Sequence, residues 1–262
     1  MQYFNENFRA TNPHATQQLL ASFQEAALAI HKQANNNVVI WNPPSDTPAL
    51  FNHYLDMLGS EYICKFDQLC QSIIFAVNNN IFLLYGLAGR SMIEHAAVMR
   101  FYFSEYIKPA VDRVFTDGII EEKNLQDLIE HLDHFLRGGN FDWALFLEGQ
   151  WDKLMEMRDD TSGSGGPQIK VGRCISKWEK EKPVIGTYYN LFCDLVHPNI
   201  GSSFLVMRKF PAGIGFCESD GVPFGKDIFM MTLPGIVTIL GEITNFMKAL
   251  LLLKVPIKGA AS

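Results

Sequence analysis

The residues of this chain whose types and spacing could do chemistry gather in two stretches. The first is Arg90-Ser91-Met92-Ile93-Glu94-His95, set inside the apolar run from Ile81 to Phe103. Arg90 and Glu94 are i,i+4 neighbours and share a helical face, while His95 points about a quarter turn away. A guanidinium can hold a phosphate through its fork of N–H donors, and a histidine beside it can move a proton. The alternative is an Arg–Glu bridge that neutralises itself inside a bundle. The second stretch runs from Tyr188 to Asn199 and places Asn190, Asp194 and His197 at i, i+4 and i+7. Asp194 and His197 could form a carboxylate–imidazole pair that fixes the tautomer and orients the ring. The alternative there is a histidine in a last helical turn, satisfied by the helix dipole and the nearby carboxylate.

Both stretches must be positioned by helices. Apolar residues fall on every side of the first, so a helix there is expected to be buried nearly all round, where unpartnered charge is costly. Leu19, Leu20, Phe23, Ala27 and Ile30 predict a helix from Asn12-Pro13 to about Gln33. A second helix is expected over about 47–77, after the loop from Asn42 to Pro48, and Asn78-Asn79-Asn80 should end it. The central helix should run to about Val114 with a kink at Pro109. Shorter helices are expected over 121–136, 142–157, 168–180 and 183–197, the last ended by Pro198. Asp159 to Pro167 reads as a flexible loop, over about 159–168. Ser203 to Glu218 reads as a small β-hairpin, and a long C-terminal helix follows. The expected fold is mainly α, a helical bundle with a small inserted β-hairpin, as one domain over 1–262.

Composition narrows the function classes. The 262 residues are 48% hydrophobic and 19% charged, which is globular rather than disordered. A net charge of −6 argues against a surface that grips nucleic acid everywhere, but leaves room for a local basic cleft. Five cysteines without a C-x-x-C pair fit thiols in a reducing cytoplasm. The N-terminal residues do not read as a signal peptide. The run from Ile228 to Leu253 is long enough to suggest a membrane span. It carries Glu242, Asn245 and Lys248 on one face, which describes a core helix with a wet stripe, so no membrane partner is expected. Arg90 and Glu94 make the central run an equally poor span, at roughly 2.5–3.5 kcal/mol for a charged residue at mid-bilayer.

The segment Arg90 to His95, followed about a hundred residues later by a helix ending Asp194-Leu195-Val196-His197-Pro198, resembles bacterial families related to the HEPN superfamily. Arg90 and His95 match the Arg-x4–6-His spacing of that superfamily's metal-independent ribonucleases. The resemblance spans about residues 50–200. It implies a helical bundle that cleaves RNA by 2′-hydroxyl attack, in a toxin or phage-defence setting. Arg90 would hold the phosphate and a histidine would shuttle protons, in a site assembled at a homodimer interface. Ser91 follows the arginine where the nuclease members often carry Asn. A split arrangement would keep the same chemistry, with Arg90 and His197 converging from two helices. The competing class is a non-catalytic helical protein that binds a protein partner or a small ligand, with Arg90–Glu94 as a structural pair.

Other patterns carry less. Ser162 to Lys170 is rich in glycine but lacks the phosphate-loop pattern. His131 and His134, with Glu130 and Asp133, could be read as metal ligands, yet they sit on a highly polar helix and read better as a solvated face. The tract Lys170 to Lys182 is basic and carries Trp178, but its interleaved glutamates make it an ordinary solvated helix. No metal and no cofactor are expected.

Overall fold

A computed structural model describes residues 3–6, 8, 14–36, 42, 44–109, 111–112, 122–137, 148–150, 152–153, 170–210, 212–216 and 222–254. The loop expected over 159–168 lies outside these residues, as does most of the helix expected over 142–157; within that helix Glu148 and Gly149 form a turn, with Gly149 at φ 71°, instead of continuous helix. Across the described residues the chain is mainly helical. α1 spans His14–Asn36, α2 Thr47–Asn78 and α3 Phe82–Tyr102. α4 spans Glu122–Arg137, α5 Val171–Glu181 and α6 Pro183–Val196. A single turn, α7, covers Ile200–Ser203, and α8 covers Val222–Leu252.

Local chemistry sets the ends of α2. The Asp46 carboxylate accepts the Ala49 N–H at 3.0 Å, and a proline sits in the first turn, where its missing N–H costs nothing. At the other end Asn80 takes a left-handed φ of 57°, a conformation asparagine tolerates, and the chain reverses directly into α3. The Asn78 side chain also ties down the N-terminal segment, accepting the Asn5 N–H at 2.9 Å and donating to the Tyr3 carbonyl at 2.7 Å.

α3 is the central element, packed against α2, α5, α6 and α8. α1 lies against α2 and α8, and α4 covers α2 from another side. The shared core is strongly aromatic. Phe4, Phe23 and Phe229 meet in tilted pairs, and Tyr85 packs edge-on to both Phe192 and Phe229 at 5.5 and 5.2 Å. Gly86 and Gly89 let α6 approach α3 closely, with the Phe192 ring filling the space over Gly89.

Three expectations need correction. α3 is not buried all round: Leu83 and Leu87 are about half exposed, on the same helical face as Arg90. The irregularity expected at Pro109 lies earlier, in a π-turn over Phe103–Ile107 closed by Lys108 N–H to the Phe103 carbonyl. A proline ring clashes with the carbonyl four residues back, here Glu105, so the backbone widens just ahead of it. Phe204 to Val206, expected in a strand, instead form a turn leaving α7. Antiparallel pairing is confined to Met207–Phe210 with Gly213–Phe216, Met207 opposite Phe216.

α8 contains Pro223–Leu252, a stretch long and apolar enough by length and composition to cross a membrane, with mean hydropathy 1.5. The same helix packs on α1, α2, α3 and α6, and its Glu242 pairs with Lys182 and Arg100.

Candidate functional site

The site forms where the middle of α3 meets the C-terminal half of α6. Arg90 is its centre. Arg90 Nε donates to Glu94 Oε1 at 2.8 Å, and Arg90 Nη1 lies 3.4 Å from His197 Nε2. The Tyr189 hydroxyl donates to the same Glu94 oxygen at 3.1 Å, and the guanidinium carbon stands 5.9 Å from the Tyr189 ring centroid, within cation–π reach. The Arg90 and Glu94 side chains are each about one quarter exposed, so the cluster sits at the edge of the bundle.

Pro198 explains how His197 gets there. A residue before proline is pushed out of the helical region, and His197 is the extended cap of α6, with φ −79° and ψ 150°. Its backbone N–H still closes α6 on the Cys193 carbonyl at 2.9 Å. The side chain reaches Arg90. The expected Asp194–His197 pair is not among the contacts of the described residues. Asp194 Oδ1 instead accepts from Asn199 Nδ2 at 3.2 Å, while Asn199 Oδ1 caps α7 by accepting the Gly201 and Ser202 N–H groups.

His95 is also turned away. Its Nδ1 lies 2.8 Å from the Ser91 carbonyl, and its ring meets Tyr62 of α2 edge-on at 6.5 Å. The literal Arg-x4-His spacing therefore does not bring its two side chains together. Of the six candidate residues, Arg90, Glu94 and His197 converge. His95 faces α2, Asp194 serves the α6–α7 corner, and Asn190 lies exposed on α6.

Sequence reasoning missed Tyr189 and Cys193. The signal was present: Tyr189 and Cys193 are i,i+4 on α6, at the edge of the face that Phe192 and Leu195 turn to α3 and one residue round from the polar stripe Asn190–Asp194. Burial raises the Tyr189 phenol to about 12, helped by its hydrogen bond with the Cys193 thiol and by the negative charge of Glu94. The hydrogen bond to Glu94 likewise raises Arg90 above its ordinary value. Both groups therefore keep their protons at neutral pH.

Chemically, the arrangement offers a fixed cation beside a base. A guanidinium N–H can only donate, so the 3.4 Å contact is a hydrogen bond only when Nε2 of His197 carries no proton. Arg90 has five N–H donors, and Nε and Nη1 use two here. The others bond to no described residue and can meet an anionic oxygen. Among the described residues no three His, Cys, Asp or Glu side chains gather to ligate a metal, and the His134 side chain lies outside them. No protein-family model, curated protein or solved structure matches this chain.

Proposed function

We propose that the protein is a HEPN-like, metal-independent endoribonuclease working as a cytoplasmic effector of the toxin or phage-defence kind. The single observation that carries this reading is the convergence of Arg90 and His197 from two helices. Arg90 pairs with the scissile phosphate. His197 Nε2 takes the proton of the RNA 2′-hydroxyl as O2′ bonds to phosphorus. The P–O5′ bond breaks, and the imidazolium returns its proton to the departing 5′-oxygen, leaving a 2′,3′-cyclic phosphate. Glu94 and Tyr189 position Arg90 rather than react. The half-exposed Leu83 and Leu87 beside Arg90 suit a second copy of the chain docked at the site.

A second reading, a non-catalytic partner-binding helical protein, is favoured by the way Glu94 already neutralises Arg90 and by that same exposed leucine face. One experiment separates the two. Purified protein is incubated with a mixed RNA pool in EDTA, alongside Arg90→Ala, His197→Ala and His95→Ala variants. The ribonuclease reading expects cyclic-phosphate products that vanish in the first two variants and persist in His95→Ala. Intact RNA with well-folded wild type, or activity retained in His197→Ala, overturns it.

A further inference from the structure

The π-turn at the end of α3 opens a second feature of the molecule, remote in sequence from His197. Under Phe103–Ile107 lies a cavity of about 100 Å³ between that turn and α4. Its floor is apolar, made by the buried Ile107, Leu128 and Leu132. Tyr102 and Tyr106 line it, their rings stacked at 5.4 Å with a 29° tilt, and His131 extends that wall, 6.1 Å from Tyr106. The rim carries one carboxylate, Glu105, whose Oε1 is held from outside by Lys177 of α5. A carboxylate can accept from several donors at once, so its second oxygen can take another cation. π-turns are frequent at functional sites because the extra residue opens the helix wall.

We propose that this cavity binds a small organic cation, a primary ammonium on a short branched aliphatic body. The size follows from the volume. With water occupying about 30 Å³ and benzene suiting a cavity of about 150 Å³, about 100 Å³ takes a body of about four or five non-hydrogen atoms. The sign follows from the lining. The Glu105 carboxylate stands where the cavity meets solvent, and the oxygen that Lys177 does not hold can accept an ammonium N–H. An anion finds only an acceptor in that oxygen. The apolar floor takes the alkyl body and fixes which end points outward. This site is independent of the Arg90 chemistry and stands or falls separately from it.

The test is NMR of protein labelled at Ile and Leu methyls, titrated at constant ionic strength with isobutylammonium, isobutanol and isobutyrate. The expected result is saturable shifts at the Ile107, Leu128 and Leu132 methyls with isobutylammonium, binding about fivefold to tenfold tighter than isobutanol. Isobutyrate should leave those methyls unmoved. Glu105→Gln, at an exposed position, should weaken the ammonium about fivefold while leaving isobutanol unchanged. Leu128→Phe, checked for a dispersed methyl spectrum, should fill the cavity and abolish both. Absence of ammonium-induced shifts overturns the proposal. So does equal affinity for isobutanol, or Glu105→Gln without effect, and the last needs no cavity-filling variant to be read.

Discussion

Replacing Gly89 by alanine should destabilise the protein, although alanine is the better helix former. A Cβ at this position would meet three carbons of the Phe192 ring at 2.5, 2.7 and 2.9 Å. Ordinary carbon contacts lie at about 3.5–4.0 Å, so the ring must retreat by about 1 Å. It has nowhere to go: Phe192 is fully buried, with Tyr85 packed edge-on at 5.5 Å. Overpacking of this kind costs about 1–3 kcal/mol, against a backbone gain of about 0.5–1 kcal/mol from losing glycine's freedom. The net is a loss centred on about 1 kcal/mol, or about 2–4 °C in Tm for a chain of this size. Gly241→Ala is the control. Gly241 is exposed in the middle of α8, a Cβ there meets nothing within 4 Å, and the substitution should raise stability by about 0.5–1 kcal/mol. Urea denaturation of wild type and both variants reads the two signs directly. Phe192 lies five residues before His197, so a displaced α6 should also lengthen the Arg90–His197 contact, already 3.4 Å. If Gly89→Ala gains stability as Gly241→Ala does, the close contact of α3 with α6 is not the constraint argued here.

Two further substitutions probe buried polar groups. Thr232→Val should cost about 1–3 kcal/mol, because it strands the buried Tyr85 hydroxyl that bonds Thr232 across the core. Adding Tyr85→Phe should recover about 1 kcal/mol of that in a double-mutant cycle, and strict additivity would show that the two groups are not coupled. Alkaline difference titration of wild type against Tyr189→Phe should reveal a phenol ionising near pH 12 rather than 10. Burial is the main cause and Glu94 assists, so Glu94→Gln should move it down only in part. Because the folded value is the higher, the stability held by the neutral phenol is complete below about pH 10 and lost as pH rises to about 12. A Tyr189 phenol titrating at 10 would mean that it does not face Glu94 and Cys193 as described.

Much of the helical scaffold was legible because the chain punctuates itself. Asp46 and Pro48 start α2, the three asparagines at 78–80 stop it, and Leu19 to Ile30 repeat with helical period, so the observed bounds fall within about three residues of those expected. The faces were less legible. Periodicity cannot tell which side of an all-apolar helix meets neighbours, so nothing in the run from Ile81 to Phe103 marked Leu83 and Leu87 as exposed. Glycine was the missed clue, since Gly86 and Gly89 identify the side against which another helix can come closest. At the site, helical spacing was carried one residue too far. It holds through Asp194 and fails at His197, because Pro198 removes that residue from the helix. Tyr189 and Cys193 flank the Phe192 and Leu195 face that meets α3, and their side chains are less conspicuously polar than the Asn190–Asp194 stripe.

The energetics of the cluster bear on why Arg90 stands where it does. An i,i+4 ion pair one quarter exposed contributes about 0.3–0.5 kcal/mol, and the Tyr189–Glu94 hydrogen bond adds about 1 kcal/mol. The weak 3.4 Å contact to His197 adds little. Against this stand the burial of Phe192 and Leu195 in the same interface, at about 1.5–3 kcal/mol for each large apolar side chain. The polar cluster therefore does not hold α3 to α6; the packing over Gly86 and Gly89 does. What the cluster adds is orientation. Glu94 and Tyr189 fix one edge of the guanidinium, and Pro198 delivers an imidazole to another, at a place where both meet solvent. Apolar packing sets the geometry, and the charged residues sit on top of it at the edge of the bundle.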